Sequence, residues 1–240
     1  MQTRSEWKVP RAFALTGSLV FALLMGCSGS KQSEPLAVYH RPVPEPTARP
    51  ATILADWFED LPCPMPAPLP FVEGSQTLVV LPDTQVYTDL YPEVFEQQTR
   101  WVADHRDERD IRFLLHVGDI TERASEREWR SAVSAMGWLD DAVPYALAAG
   151  NHDYGTRGRA ENRSTLLNTY FPVAKQRKMA TFGGTYRPGQ VDNSYHLFSA
   201  GGRDWIAVVL EWGPRPAVMG WANRILRTHK DRTAIVVTHA

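Results

Sequence analysis

Four short motifs place side chains that bind hard cations at the ends of apolar, β-branched runs, in a fixed order along the chain. Asp83-Thr84-Gln85 follows TLVVLP, and Gly118-Asp119-Ile120-Thr121-Glu122 follows RFLLHV. Gly150-Asn151-His152-Asp153 follows VPYALAA, and Thr238-His239 closes TAIVV. Carboxylate, amide and imidazole donors of this kind bind Mg²⁺, Mn²⁺, Fe or Zn²⁺. Metal-assisted phosphoester hydrolysis uses such a set to hold two cations about 3.5–4 Å apart around a bridging group. Asp119 suits the bridge, because Gly118 before it lets backbones approach closely at a strand end. Asp83 offers a carboxylate from a neighbouring strand, Asn151 a neutral oxygen and His239 an imidazole.

The segments that carry these motifs alternate between strand and helix. TLVVL reads as a short buried strand bounded by Pro82. Residues 93–106 have helical spacing, with Val94, Phe95, Gln98, Trp101 and Val102 on one face. Strand RFLLHV, a helix over 125–141 and strand PYALAA follow. Two further runs, NSYHLFSA and DWIAVVLEW, meet at Gly201-Gly202, a hairpin signal that predicts antiparallel strands within or beside the sheet. A helix over 216–229 and strand TAIVVTH complete the pattern. The fold class is therefore α/β, with a βαβαβ core, a largely parallel sheet and flanking helices. In such sheets ligands gather beyond the carboxyl ends of the strands, and every motif above lies there.

Composition bounds the rest. The chain has 240 residues, 43% apolar and 22% charged, enough for a substantial core. Its net charge of −1 gives no sign of a nucleic-acid-binding surface. Arg4, Lys8 and Arg11 precede the apolar stretch Ala12 to Met25, which is too short to span a membrane and has the layout of a secretory signal. The tetrad Leu24-Met25-Gly26-Cys27 resembles a bacterial lipobox. Residues 1–26 are thus expected to be a lipoprotein signal peptide, with lipid on Cys27 as the membrane anchor. Ser28 after that cysteine points to the outer membrane or to the periplasmic or cell surface. Cleavage removes three positive charges and one negative one, leaving the mature chain near −3. Cys63 then has no partner for an intramolecular disulfide and is assigned no role. Residues 27–72 read as a Pro-rich tether, with a short helix around 53–58, and residues 73–240 as the folded domain.

Together the motifs resemble the calcineurin-like metallophosphoesterase family, whose pattern is D-x-H, G-D-x-x-D/E, G-N-H-D/E, a later His and a final G-H-x-H. The likeness covers residues 77 to 240 and implies that family's sandwich of β-sheets, flanked by helices. By resemblance Asp83 would bind a first metal, Asp119 would bridge, and Asn151 and His239 would bind a second. His152 would stand over the substrate as general acid or oxyanion stabiliser, oriented by Glu122; imidazole suits the task because it titrates near neutrality. Gln85 occupies the place of the His in D-x-H. Its neutral amide oxygen favours an oxygen-preferring ion such as Mn²⁺ or Mg²⁺ at that half of the site. The final G-H-x-H does not follow His239, so the resemblance implies a C-terminally truncated member, with weak metal binding and little activity in these 240 residues.

The remaining motif-like residues receive plainer readings. Asp153 is expected to bond its own loop. His116 reads as a core histidine, and His40, His105, His196 and His229 as surface residues. The Glu211-Trp212-Gly213-Pro214 turn either lines the cleft or only ends a strand, and the basic residues from 157 to 187 read as a solvated loop face. The function implied is hydrolysis of a phosphoester substrate, monoester or diester, by a dinuclear enzyme. The alternative is a cell-surface binding or structural lipoprotein that keeps the fold but has lost turnover.

Overall fold

Alternate residues of the central strands point in opposite directions, and each face finds its own apolar layer. The computed structural model describes residues 13–17 and 72–239. A three-stranded parallel sheet contains β2 (Thr77–Leu81), β3 (Ile111–His116) and β4 (Tyr145–Leu147), in that order. A five-stranded mixed sheet has β1 (Phe13–Gly17) at one edge, followed by β8 (Thr233–His239), β7 (Arg203–Val209), β6 (Ser194–Ala200) and β5 (Phe182–Thr185). On β3, Phe113 and Leu115 meet Phe198, Ala207, Val209, Ile235 and Val237 of the second sheet, forming the interior of a sandwich. Leu114, pointing the other way, packs with Phe95, Val102, Trp129 and Met136 under the helices. On β7, Ile206 and Val208 turn outward to Val218, Trp221 and Ala222.

The helices fall where periodicity places them. They are α2 (Pro92–Asp104), α3 (Glu126–Gly137) and α6 (Pro216–Thr228), and α2 and α6 both begin with Pro at a position that needs no amide donor. Ser125 and Glu128 form a capping box at the start of α3: Glu128 N donates to Ser125 Oγ at 3.3 Å, and Ser125 N donates to Glu128 Oε2 at 2.9 Å. The same carboxylate oxygen accepts the Arg123 amide at 3.1 Å, so the cap of α3 also holds the residue after Glu122. Gly201 and Gly202 have φ of +59° and +67°, and the β6–β7 hairpin turns on them as expected.

Three features depart from the sequence reading. A six-residue helix, α1 (Gln85–Leu90), starts two residues after Asp83 and is too short for periodicity to reveal. Strand β5 and the short helices α4 (Leu167–Tyr170) and α5 (Val173–Gln176) lie in the stretch that reads as irregular. His196 is not a surface residue: it is buried on β6 with its ring 5.3 Å from that of Phe113 and 5.5 Å from that of Phe182. Phe13–Gly17, within the segment read as a signal peptide, pairs in parallel with β8. The rest of that segment, Cys27, Cys63, His40 and the tether up to residue 71 lie outside the described residues. Among the described residues no helix is long and apolar enough to cross a membrane.

Candidate metal centre

Strands β2, β3 and β4 run parallel, so the segments that follow their last residues emerge at one edge. Asp83 comes two residues after β2, Asp119 three after β3 and Asn151 four after β4, while His239 is the last residue of β8 in the other sheet. Ligand atoms of Asp83, Asp119 and His239 all lie within 4.8 Å of one another. His239 Nε2 is 3.2 Å from Asp119 Oδ2, and its Nδ1 is 3.9 Å from Asp83 Oδ1.

Asp119 is held in an uncommon conformation. Its φ is +48° and that of Gly118 is +112°, so two consecutive residues turn through the left-handed region. A non-glycine residue there costs of order 1 kcal/mol, which the surroundings must offset. They do so at three atoms. The Asp119 carbonyl accepts the Thr84 amide at 3.1 Å, Oδ1 accepts the His152 amide at 2.9 Å, and Oδ2 faces His239. Two glycines make room for this arrangement. A Cβ on Gly118 would come within 2.7 Å of His239 Nδ1, and one on Gly150 within 2.0 Å of Asp119 Oδ1.

Below the carboxylate, His116 acts as a neutral strut. Gly118 N donates to His116 Nδ1 at 3.2 Å, which leaves the Nε2 proton to donate to Thr84 Oγ1 at 2.9 Å. Thr84 Oγ1 in turn donates to Ile120 O at 3.2 Å. Burial pushes the His116 imidazole down to about 3, consistent with an uncharged ring. Asp153 ties the two neighbouring loops together. Its carboxylate accepts the amides of Gly150 (2.9 Å), Ile120 (3.0 Å) and Thr121 (2.8 Å) and the Thr121 hydroxyl (2.8 Å). Burial pushes this carboxyl up to about 6 despite the opposing amide donors. The sequence reading of Asp153 as a loop residue holds, and its reach extends to the G-D-I-T loop as well.

The residues present suit a divalent cation. His239 donates Nδ1–H to the Val117 carbonyl at 3.1 Å, which fixes the ring and aims Nε2 into the cluster, the arrangement typical of a metal-bound histidine. Gln85 Oε1 is buried without a hydrogen-bond partner, a costly state for an amide oxygen that a cation would relieve. Burial raises the Asp83 carboxyl, with the Asp119 charge adding to the rise and His239 opposing it. For His239, burial acts to lower the imidazole, but the hydrogen bond and charge of Asp119, with Val117 and Asp83, leave it above its ordinary value. Asn151 is the half-buried first residue of the turn Asn151–Asp153, between Gly150 against Asp119 and His152.

His152 sits at the rim with its side chain 30% exposed. Its Nδ1 donates to the main-chain carbonyl of Glu122 at 2.8 Å, while the Glu122 carboxylate stands 3.7 Å away. Glu122 therefore orients the ring through its backbone, with its carboxylate as a charged neighbour. The Glu211 turn adjoins the centre, since Gly213 N donates to the His239 carbonyl at 3.3 Å. Sequence reasoning does not mark Thr84 and His116 as parts of the site. Their only signal is position, one beside Asp83 and the other three residues before Asp119.

A sandwich of two sheets with helices outside, and a carboxylate–imidazole cluster at the strand ends, defines a metal-binding phosphoesterase fold. The profile of the calcineurin-like phosphoesterases matches residues 76–240, and the chain belongs to that family. It is 32% identical over 173 residues to the uncharacterized protein YvnB of Bacillus subtilis (strain 168), covering 71% of this chain and 13% of that protein's length. The chain also aligns with the purple acid phosphatase PPD1 from yellow lupin (Lupinus luteus) seeds. That alignment has 15% identity and a TM-score of 0.45, over 72% of this chain and 31% of the lupin chain.

Proposed function

We propose that the protein is an exported, lipid-anchored phosphoester hydrolase that works with two divalent cations. Asp83 and Gln85 would hold one cation, Asn151 and His239 the other, with Asp119 between them. The observation that carries this reading is the convergence of the Asp83, Asp119 and His239 donor atoms; the buried, partnerless oxygen of Gln85, two residues after Asp83, supports it. Two such cations polarise phosphoryl oxygens and lower the pKa of a bound water, the chemistry that phosphoester hydrolysis needs at neutral pH. The chain's own contribution is placement. Asp153, Thr84 and His116 hold the three loops in register, and Gly118 and Gly150 let them close. His152, anchored through Nδ1, has Nε2 free to donate to a phosphoryl or leaving-group oxygen when the ring is doubly protonated. Oxygen donors at Gln85 favour Mn²⁺ or Mg²⁺ there over Zn²⁺.

The test uses the full-length mature protein with Mn²⁺, assayed on bis-p-nitrophenyl phosphate and p-nitrophenyl phosphate. Asp119→Asn should abolish tight Mn²⁺ binding, and His152→Ala should lower kcat by about 10²–10⁴-fold while metal still binds. Activity unchanged by both substitutions would sink the mechanism. Metal binding without turnover on either ester class would favour a binding lipoprotein on the same fold. Lipid anchoring has a separate check: Cys27→Ser should move the protein from the membrane to the soluble fraction, and an unchanged partition would refute it.

A further inference from the structure

We infer that Arg163 is a positioning residue, which clasps the Glu211–Gly213 turn so that His239 stays in place beside Asp119. The inference builds on the metal-centre reading above. The turn grips the end of β8 through its main chain. Glu211 O accepts the Thr238 hydroxyl at 3.1 Å, and Gly213 N donates to His239 O at 3.3 Å. Arg163 reaches this turn from the loop that begins at Asn151. Its Nη1 donates to Trp212 O at 2.7 Å and its Nη2 to Gly213 O at 2.8 Å, a fork across two consecutive carbonyls. The guanidinium also lies 5.9 Å from the centroid of the Trp212 ring.

The loop behind Arg163 is tied to the catalytic side in turn. Gly155 N donates to Ser164 O at 2.8 Å. Gly158 presses so closely on the Glu122 and His152 carbonyls that a Cβ there would come within 2.4 Å and 2.9 Å of them. A path of contacts therefore runs from the His152 carbonyl through Gly158 and the 155–164 loop to the Arg163 guanidinium, and through the 211–213 turn to His239.

Charge neutralisation alone does not account for Arg163. The Glu211 carboxylate, 1% exposed, already accepts Arg215 N (3.1 Å), Arg215 Nε (2.7 Å), Arg215 Nη2 (2.7 Å) and Asn193 Nδ2 (3.2 Å). Burial by itself would raise this carboxyl, but the Arg215 and Asn193 donors leave it below its ordinary value. Arg163 Nη1 stands 3.5 Å from the same carboxylate, longer than either of its bonds to the carbonyls. Its removal leaves Glu211 paired with Arg215 and Asn193, and the bonds lost outright are the two to the carbonyls of residues 212 and 213.

The experiment compares Arg163→Ala and Arg163→Lys with wild type in the full-length protein, using peptide-resolved hydrogen exchange without metal and calorimetric titration with Mn²⁺ alone. Arg163→Ala should keep a cooperative melt near that of wild type. Exchange across residues 211–213 should quicken about tenfold, Mn²⁺ affinity should fall several-fold, and kcat should fall more than KM changes. Arg163→Lys should rescue little, because an ammonium lacks the planar fork that spans two carbonyls. Wild-type exchange, metal affinity and kcat in Arg163→Ala would overturn the inference. If exchange quickens but even wild type binds no Mn²⁺, it is the metal-centre reading that falls.

Discussion

Adding one methyl group at Gly150 tests whether the close packing at the strand edge is what holds Asp119 in place. Gly150 has φ −91° and ψ −178°, a conformation alanine adopts freely, so the substitution carries no backbone penalty of its own. The effect is steric. The new Cβ would lie 2.0 Å from Asp119 Oδ1 and 2.3 Å from Asp119 N, and real contacts stay above 3.0 Å. The carboxylate must therefore retreat by at least about 1 Å, or the Gly150–Asp153 turn must lift by as much. Neither is free to do so. The carboxylate is bonded to the His152 amide and faces His239, and the Asp119 main chain is continuous with Gly118, itself packed on the His239 ring. Overpacking of this kind costs about 1–3 kcal/mol, a fall in Tm of roughly 3 °C per kcal/mol for a domain this size. A displacement of about 1 Å at a catalytic group lowers kcat/KM by about 10²-fold. Gly150→Ala should therefore lose Mn²⁺ affinity and turnover far out of proportion to its modest loss of stability. Gly137→Ala is the control: Gly137 ends α3 with nothing within 4 Å of its Cβ, so alanine there should be neutral or add up to about 1 kcal/mol. A Gly150→Ala protein with wild-type metal affinity and kcat/KM would refute the claim that this contact positions the ligand.

Other substitutions separate stability from function. Gln85→Leu removes a buried oxygen that has no partner, so the metal-free protein should melt at or slightly above the wild-type temperature while its Mn²⁺ affinity drops about tenfold; a large loss of apo stability would contradict this. Gln85→His should instead shift selectivity toward Zn²⁺ in competition titrations. Tyr154→Phe deletes a buried hydroxyl with no partner and should change unfolding free energy by less than about 1 kcal/mol, measured by urea denaturation. Burial pushes the His196 imidazole down to about 3, well below its unfolded value of about 6.5. The unfolded chain thus binds the extra proton first. The contribution of His196 is complete above pH 6.5 and is lost as pH falls from 6.5 toward 3, by about 1.4 kcal/mol per pH unit. His196→Leu should flatten the decline in urea midpoint between pH 6.5 and 5, and an unchanged slope would show that the ring takes up its proton in the folded state.

The parts of this molecule legible in its sequence are those set by short-range rules. Helices α2, α3 and α6 announce themselves through apolar spacing, Ser125 with Glu128 marks a helix start, and Gly201-Gly202 marks a hairpin. Asp83, Asp119 and His239 could be gathered on paper because parallel strands deliver their C-terminal residues to one edge. Missing from the sequence is anything that depends on which chemical group of a residue faces which neighbour. Glu122 reads as a carboxylate partner for His152, yet its main-chain carbonyl makes the bond, a choice decided by loop geometry. His196 and His116 look alike as isolated histidines within strands. One fills a gap among aromatic rings between the sheets, and the other joins the Thr84 and Gly118 segments beneath the site.

The gathering of the motifs at the strand ends has a physical cause. The Asp119 loop is strained and the Gly150 turn crowded, and each is compensated by partners from another loop. Asp119 lies at positive φ and is held by the Thr84 and His152 amides; Gly150 is crowded against Asp119, and its own amide bonds Asp153. Asp153 in turn holds the amides of Ile120 and Thr121. These loops bond one another, so the cluster of Asp83, Asp119 and His239 is a collective property of the edge. In metal-free form that edge keeps a price in unrelieved interactions: Asp83 and Asp119 raise each other's energy, and the Gln85 oxygen has no donor. A divalent cation held as proposed by Asp83, Gln85 and Asp119 would relieve both penalties, since it attracts carboxylates and takes an amide oxygen as a ligand. Metal binding should therefore raise the stability of the whole edge together. Asp153→Asn, which touches no proposed ligand, should weaken Mn²⁺ binding by loosening three loop amides, and wild-type affinity in that variant would show that the ligands hold their places without the shared framework.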